Sequence, residues 1–299
     1  MKRILIIGAN GFTGRQLLND LASEQHYHLI GSSLREDLYS GQSPYPYDFY
    51  RANLRCPQEI EQLLTQTAPD VIINASALSV PDYCEQHRDE AYQTNVTAVE
   101  QMAQLSEERQ IKLIHLSTDF VFNGSKTSLY SENDQPDPIN YYGFTKWKSE
   151  EQVAKLCEDH AIVRVAIVYG SPLTGQHGNI FHLTAEKLKR GEPIRVVSDQ
   201  WRTPTFVGDI SKGIEQLINH SQTGLFHLTG KDCLTISDIA FKVADYLRLD
   251  TSLIEPVTTQ SLNEATARPR FSGLNIDKAR NAFGYTPLSI DEGLKKMFG

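Results

Sequence analysis

A glycine-rich turn close to the N-terminus constrains the fold of this chain more than any other feature. Residues 4–8 read Ile-Leu-Ile-Ile-Gly, and Gly11 and Gly14 follow at intervals of three residues. Glycines at this spacing allow a tight turn, a close approach of the backbone to a pyrophosphate, and close packing of a helix on a strand. Because the turn lies directly between a predicted strand and a predicted helix, it predicts a dinucleotide-binding unit.

Short β-rich runs alternate with helical patterns in the chain before Gly170. Strands are predicted at 4–8, 27–32, 49–53, 71–75, 111–117 and 162–169, and helices at 13–24, 57–67, 85–109 and 143–158. The first strand is apolar throughout, as a central parallel strand buried on both faces should be. This alternation implies right-handed crossovers, and it predicts an α/β fold with a Rossmann-like, doubly wound parallel sheet.

The pattern becomes less regular after Gly170. We predict that residues 1–170 form the NADP(H)-binding domain, with 205–230 packing back on it. Residues 171–204 and 231–299 are predicted to form a smaller C-terminal substrate-binding domain. It would cover the C-terminal edge of the sheet, which is where open α/β sheets bind their ligands.

Composition excludes several classes of partner. The formal net charge of −8 argues against a nucleic acid or an anionic membrane surface. No apolar run approaches the roughly 18 residues of a membrane span, and the apolar run at the N-terminus is too short for a signal peptide. The four cysteines form no CxxC pair, which favours a reduced, cytoplasmic location. The nine histidines show no HxxxH or HExxH spacing, so no metal site is predicted.

The end of the second strand bears on the choice of cofactor. An NAD site usually has an acidic side chain there for the ribose 2′-hydroxyl, whereas residues 31–35 read Gly-Ser-Ser-Leu-Arg. The hydroxyl of Ser32 and the guanidinium of Arg35 suit a 2′-phosphate. NADPH is therefore the predicted cofactor, with NADH as the alternative because Glu36 and Asp37 follow closely.

Three polar residues predict the chemistry. Thr118 ends the fifth strand at the ligand-binding edge, and Tyr142 and Lys146 lie four residues apart on a predicted helix, so that they share one face. A phenol with a pKa of ~10 is a poor acid or base at neutral pH. The ammonium of Lys146 and the positive nicotinamide ring of the oxidised cofactor would lower that pKa. Thr118 would hold the reacting oxygen in line.

The stretches that carry a family resemblance extend over nearly the whole chain. They are the glycine loop at 8–14 and the segments 74–77, 117–124, 142–146, 178–181, 199–205 and 268–269. On these stretches the chain resembles the extended short-chain dehydrogenase/reductases and, more narrowly, the dTDP-4-dehydrorhamnose reductase family. It is also similar to the regulatory β subunit of methionine adenosyltransferase, which shares the fold and keeps the Tyr/Lys pair.

The resemblance implies roles for individual residues. Thr118, Tyr142 and Lys146 would be the catalytic triad, and Asn95 matches an asparagine that supports the site in the superfamily. With the glycine loop, the predicted cofactor-binding residues are Gly8, Asn10, Gly11, Phe12, Thr13, Gly14, Ser32, Arg35, Asn53, Leu54, Ala75, Ser76, Ala77, Asn95, Tyr142 and Lys146.

The predicted substrate residues include two departures from the family pattern. Phe120 stands where the family usually has Tyr, and the segment 166–169 lacks its usual Trp, which puts the particular sugar in doubt. The adjacent Trp201 and Arg202 supply a stacking ring and a cation. Together they could bind a nucleotide diphosphate and its base, or they could equally form a pair at the domain interface. The predicted substrate residues are Phe120, Asn179, Trp201, Arg202 and Arg268.

The resemblance thus implies an NADP(H)-dependent reductase of a nucleotide-linked 4-keto-6-deoxy sugar. Two alternatives remain open from the sequence: a non-catalytic, NADP-binding regulatory subunit, and a sugar-nucleotide epimerase or dehydratase. The Tyr/Lys pair cannot separate them. The sequence does not determine the oligomeric state, and a homodimer is compatible with it.

Overall fold

A seven-stranded parallel sheet forms the centre of the computed structural model, which describes residues 1–24, 26–43, 45–171, 178–262 and 264–299. Part of the irregular segment that follows Gly170, residues 172–177, lies outside these ranges. The strands are β1 (Lys2–Ile7), β2 (Tyr27–Ser33), β3 (Asp48–Arg51), β4 (Val71–Asn74), β5 (Lys112–Thr118), β6 (His160–Val165), β7 (Val168–Tyr169), β8 (Ile194–Val197), β9 (Trp201–Arg202), β10 (Thr205–Phe206), β11 (Gly224–His227), β12 (Leu234–Thr235) and β13 (Ile254–Val257).

The α-helices lie between and after these strands. They are α1 (Phe12–Ser23), α2 (Pro57–Thr67), α3 (Pro81–Gln86), α4 (Arg88–Tyr92), α5 (Ala98–Glu108), α6 (Tyr141–Leu156), α7 (Ile180–Lys189), α8 (Val207–Asn219), α9 (Ile236–Leu247), α10 (Thr259–Leu262), α11 (Asp277–Phe283) and α12 (Ile290–Phe298). A π-helical turn at Gln93–Thr97 connects α4 to α5. None of the helices in the described ranges has both the length and the apolar character that crossing a membrane requires.

The order of strands in the sheet is β11-β6-β5-β4-β1-β2-β3, which confirms the predicted doubly wound α/β class. Side chains of β1 alternate between the two faces. Ile4 and Ile6 enter one apolar core with α1 and α8, and Leu5 and Ile7 enter the opposite core with α2 and α5. Burial on both faces explains why this strand is apolar at successive positions.

Residues from the second half of the chain complete this layer structure. Strand β11 pairs with β6 at the edge of the sheet, and α8 packs beside α1. The core on the α1 side also contains Ile276, Phe283 and Tyr285, which come from the range that the sequence assigns to the smaller domain.

A separate apolar cluster forms beyond the C-terminal edge of the sheet. Phe181 of α7, Ile239 of α9 and Leu294 of α12 pack there around Tyr169. Strands β8 and β13 pair in parallel beside them. This smaller layer therefore faces the ends of β1, β4 and β5, where the glycine loop and Thr118 lie.

Two predicted elements are interrupted, and both predictions of continuity were wrong. The strand predicted at 162–169 stops at Val165, because Ile167 adopts φ of 34° and Thr205 bonds to the Ala166 carbonyl through its hydroxyl at 2.8 Å. The helix predicted at 85–109 is divided, because His87 leaves helical geometry with φ of −126° and ψ of 55°. Both interruptions lie in segments that line or support the cavity described next.

Candidate active site

A cavity of about 810 Å³ lies at the C-terminal edge of the sheet, between the two parts of the chain. Residues from the glycine loop, the ends of β4 and β5, and helix α6 line one side. Residues of the smaller layer line the other. Among the residues predicted from the sequence, the lining includes Gly11, Phe12, Thr13, Ala75, Ser76, Ala77, Thr118, Phe120, Tyr142, Lys146, Asn179, Arg202 and Arg268.

The glycine loop has the geometry of a pyrophosphate cradle. Gly8 adopts φ of 86°, and a Cβ atom there would lie 2.8 Å from the backbone nitrogen of Ser76. A Cβ atom on Gly14 would collide with the carbonyl oxygen of Gly8. Helix α1 begins directly after Gly11, so its first N–H groups are available at the cavity, where an anion would be favoured.

The end of β2 lies next to this loop. The hydroxyl of Ser32 is buried without a hydrogen-bond partner among the described residues, and Arg35 is exposed. The side-chain amide of Asn10 bonds to the carbonyl of Glu36 at 2.9 Å and fixes the loop after β2. Of the two acids there, Glu36 pairs with Arg51 and Asp37 with Arg15. Neither Ser32 nor Arg35 is among the residues that line the cavity, so their contact with a 2′-phosphate stays a prediction.

Three other predicted cofactor residues, Asn53, Leu54 and Asn95, are not among the residues that line the cavity. Asn53 follows β3, and its side chain accepts a hydrogen bond from the backbone N–H of Arg55 at 3.1 Å. Leu54 packs against the core on the α2 side. Asn95 lies in the π-helical turn, where it accepts from the N–H of Leu78 at 2.8 Å and donates to Thr145 at 3.0 Å. Asn95 therefore links the segment after β4 to helix α6 rather than lining the cavity itself.

Helix α6 brings Tyr142 next to Thr118. The side chain of Asn140 caps this helix by accepting from the N–H of Gly143 at 2.8 Å. A Cβ atom on Gly143 would collide with the carbonyl oxygen of Phe120, so glycine permits close contact between the helix and the end of β5. Tyr142 and Lys146 then lie one turn apart and both reach the cavity.

Burial dominates the electrostatics of this group. Desolvation raises the pKa of Tyr142 above its ordinary value, while a hydrogen bond with Thr118 acts in the opposite direction and the charge of Asp119 raises it further. The sequence predicts that Lys146 and the positive nicotinamide ring of an oxidised cofactor together lower the pKa of Tyr142, and this stays a prediction. Desolvation lowers the pKa of Lys146 to about 8, against an opposing effect of Glu150.

The predicted substrate residues differ in how far they are committed to other partners. Arg202 is buried, with its guanidinium 3.5 Å from Asp119 and 2.8 Å from the carbonyl oxygen of Pro269. Arg268 is partly exposed to the cavity and lies 3.3 Å from Glu264. The guanidinium carbon of Arg270 lies over the Trp201 ring, 5.8 Å from the ring centre. The guanidinium of Arg268 is thus more accessible to a ligand than that of Arg202.

Two further predicted side chains border the cavity. The ring of Phe120 meets the ring of Tyr142 edge to face at 5.9 Å. Asn179 caps α7 and donates to the carbonyl of Val168 at 2.7 Å. Phe120 therefore contacts the proposed proton donor, and Asn179 lines the same cavity.

One contact at the site was missed from the sequence. His115, which no motif in the sequence singles out, has its imidazole against the amine of Lys146. The register of the sheet places Asn74 directly beside it. Within the described ranges, no three side chains of the metal-ligand types come together.

Comparisons with known proteins show which family and fold this chain resembles. A family model described as the RmlD substrate binding domain matches residues 1–299. A dTDP-4-dehydrorhamnose reductase of Aggregatibacter actinomycetemcomitans is 28% identical, over 99% of this chain and 98% of the relative. A methionine adenosyltransferase 2 subunit beta of Danio rerio is 27% identical, over 93% of this chain and 84% of the relative. The crystal structure of a dTDP-4-dehydrorhamnose reductase from Bacillus anthracis in complex with NADP superposes with a TM-score of 0.86, at 30% identity, over 100% of this chain and 99% of that chain.

Proposed function

Because the chain belongs to the RmlD substrate binding domain family, we propose that it is an NADPH-dependent reductase of a nucleotide-linked 4-keto-6-deoxy sugar. The observation that carries this proposal is that Thr118, Tyr142 and Lys146 line one cavity, which residues of the glycine loop also line. A cavity of about 810 Å³ is in the range of small-molecule sites. The reductase relatives and the NADP complex of a similar structure support the same activity.

The proposed cofactor site uses the cradle at the glycine loop. The N–H groups at the start of α1 would bind the pyrophosphate, and Ser32 and Arg35 would bind the 2′-phosphate. Ala75, Ser76 and Ala77 would line the nicotinamide side of the cavity. When bound there, NADPH supplies the hydride that reduces the sugar carbonyl.

The proposed proton donor is Tyr142. Its hydroxyl would protonate the carbonyl oxygen as the carbonyl carbon is reduced, and Thr118 would hold that oxygen by a hydrogen bond. Lys146 would bind the nicotinamide ribose and favour the ionised form of Tyr142 by its charge. A raised pKa keeps Tyr142 protonated at neutral pH, which suits a group that acts as the acid in the reduction.

The proposed diphosphate partner is Arg268, because its guanidinium is the more accessible one. Arg202 would instead support the site through Asp119, which directly follows Thr118. The ring of Phe120 and the amide of Asn179 would border the sugar.

A panel of sugar nucleotides tests the activity. Each candidate is added to the purified chain with NADPH, and the loss of NADPH absorbance is recorded. Net oxidation with a 4-keto-6-deoxy sugar nucleotide is the expected result. An epimerase or dehydratase would convert substrate without net oxidation, and a regulatory subunit would bind NADPH without any turnover, so either outcome would replace the proposal.

The compartment and the assembly are part of the same proposal. All four cysteines are unpaired thiols in the structure, which supports the expectation of a cytoplasmic location. A homodimer remains a prediction that sedimentation velocity of the purified chain would test. A nucleotide sugar is the proposed ligand.

A further inference from the structure

A buried histidine touches the amine of the proposed catalytic lysine. The Nζ atom of Lys146 lies 3.0 Å from Nε2 of His115, and the two side chains are 1% and 0% exposed. The same ring nitrogen lies 2.9 Å from the hydroxyl of Ser149. The direction of these hydrogen bonds depends on which ring nitrogen carries the proton.

The neighbouring strand determines that proton's position. The side-chain oxygen of Asn74 accepts from the backbone N–H of Ser76 at 3.1 Å and from its hydroxyl at 2.6 Å. A backbone N–H can only donate, so this end of the Asn74 amide is the oxygen. The NH₂ end then faces Nδ1 of His115 at 3.1 Å. Nδ1 must therefore accept, and in the neutral ring the proton lies on Nε2.

A proton on Nε2 has consequences for Lys146. The hydroxyl of Ser149 donates to the Lys146 carbonyl at 2.7 Å, so its oxygen can only accept from Nε2–H and shares that single proton with Nζ of Lys146 in a bifurcated hydrogen bond. If Lys146 is an ammonium, its N–H groups face the Nε2–H of His115, and neither side has a lone pair to accept a hydrogen bond. A neutral amine instead offers a lone pair to Nε2–H.

The charged groups near His115 and Lys146 affect the pKa values of both side chains. The titratable groups that act on Lys146 among the described residues are His115 on β5 and Glu150 on α6, and Tyr142 lies one turn away on the same helix. Glu150 raises the pKa of Lys146, but it is itself bound by Arg164 at 2.6 Å. Burial and the nearby Lys146 hold the pKa of His115 well below its ordinary value, so the ring stays neutral.

We propose that His115, held as its Nε2–H tautomer by Asn74, is a positioning residue that fixes the Lys146 amine and disfavours its ammonium form. The inference deepens the proposed function and rests on it for the role of Lys146 in the reaction. It follows that Lys146 loses its proton at a lower pH than an ordinary lysine. The ammonium that assists Tyr142 is then lost, and the reductase rate falls, at the alkaline end of the pH profile.

The tautomer can be read directly. Long-range ¹H–¹⁵N correlation spectra of ¹⁵N-histidine-labelled protein distinguish protonation at Nδ1 from protonation at Nε2, and the spectrum of His115→Gln assigns the resonance. His227 is an internal reference, because its Nδ1 lies 3.1 Å from the carbonyl oxygen of Asn275 and must donate. The expected spectrum shows His115 protonated at Nε2 and His227 at Nδ1. Protonation of His115 at Nδ1 would overturn the proposal.

A single amide-to-acid change tests the coupling to Lys146. In Asn74→Asp the carboxylate can still accept from Ser76, but it now accepts from Nδ1–H and turns Nε2 into an acceptor toward Lys146. We expect the ¹³Cε resonance of Lys146, assigned with Lys146→Arg, to titrate at least one pH unit higher, which is a tenfold change in the amine-to-ammonium ratio. The resonance of buried Lys112, which pairs with Asp159 at 2.6 Å, should not move.

A second variant and a rate measurement complete the test. His115→Leu removes the Nε2–H donor and is expected to raise the Lys146 titration as well, should Asn74→Asp fail to fold. A folded variant in which Lys146 titrates as in the original chain would refute the inference. These spectra need no substrate, so their outcome is separate from that of the reductase assay. In the assay, the alkaline fall of kcat should move to higher pH in both variants.

Discussion

The guanidinium of Arg202 lies 3.5 Å from the carboxylate of Asp119, and this buried pair joins the two parts of the chain beneath the cavity. Both side chains are under 5% exposed. Ser272 also donates to Asp119, which directly follows Thr118 in the chain. The position of the proposed reacting threonine therefore depends on contacts from the second half of the molecule.

Removal of Arg202 should destabilise the fold. The change Arg202→Met leaves the carboxylate of Asp119 buried without its cation, which typically costs about 3–5 kcal/mol. We expect the free energy of unfolding in urea to fall by that amount at pH 7. Burial already raises the pKa of Asp119 against the opposing charge of Arg202, so this pKa would be higher still without Arg202, and the loss should become smaller as the pH falls toward 4. Lys148→Ala, which breaks an exposed pair with Glu151, should change it by less than about 1 kcal/mol. Equal losses in the two variants would contradict this account of Arg202.

The change Tyr142→Phe should abolish most of the reductase rate. General acid catalysis contributes about 10²–10⁴-fold, and phenylalanine keeps the ring that meets Phe120. NADPH oxidation measures the rate, and fluorescence titration with NADPH should show unchanged binding. Tyr141→Phe is the matched control, since its ring stacks on Phe144 at 5.6 Å and does not line the cavity. A Tyr142→Phe rate close to that of the unaltered chain would exclude Tyr142 as the proton donor.

The change Arg35→Ala should alter cofactor selectivity. It removes the proposed partner of the 2′-phosphate, so NADPH binding should weaken by about 1.5–3 kcal/mol while NADH binding changes little. Fluorescence titrations with both cofactors give the two dissociation constants. Arg190→Ala, at an exposed pair with Glu192 after α7, serves as the control. If both cofactors weakened equally, or neither did, Arg35 would have no role in reading the phosphate.

The change Arg268→Ala should weaken binding of a nucleoside diphosphate roughly tenfold or more, because a charge-assisted hydrogen bond is lost. Isothermal titration with the nucleoside diphosphate measures this, and NADPH affinity should stay unchanged. Arg270→Ala is a control two residues away, with its guanidinium beside Trp201 rather than in the cavity. An unaltered dissociation constant in Arg268→Ala would leave Arg268 with only its structural ion pair to Glu264.

The buried His227 should make the chain sensitive to acid. Burial lowers the pKa of His227 to about 3, below the ~6.5 of an unfolded histidine. The unfolded chain therefore binds a proton first as the pH falls, and stability present above pH ~6.5 is lost toward pH 3. Between pH 7 and pH 5 this group costs about 2 kcal/mol by linkage. Between pH 7 and pH 5, the free energy of unfolding in urea should therefore fall by about 2 kcal/mol less in His227→Phe than in the original chain, whatever the stability of the variant at pH 7. The same loss in both chains would contradict this.

Much of the fold and the core of the site could be predicted because their signals are local. The glycine loop lies within one turn of the chain, and Tyr142 and Lys146 lie one helical turn apart, so short spacings identify them. The apolar run of β1 likewise reports its burial on both faces. Signals of this kind depend on backbone geometry that neighbouring residues alone determine.

What could not be predicted depends on distant partners. The contact of His115 with Lys146 follows from the pairing of β4 with β5 and the docking of α6, and His115 by itself is a histidine in a strand. The commitment of Arg202 to Asp119 also joins residues far apart in sequence. Similarly, β6 ends where Thr205 bonds to the Ala166 carbonyl, and no pattern within 162–169 encodes this contact.

Strand β11 comes late in the sequence but pairs with β6, and this affects how the protein folds during its synthesis. A ribosome releases β6 long before Gly224–His227, so the nascent sheet keeps an open hydrogen-bonding edge while the intervening segments emerge. The apolar face of α1 also waits for α8 during that interval. A fragment that stops at Gly170 would keep both surfaces exposed, which favours association between strands of different molecules over correct closure. Synthesis of this chain is therefore expected to be sensitive to chaperone supply until its second half has been translated.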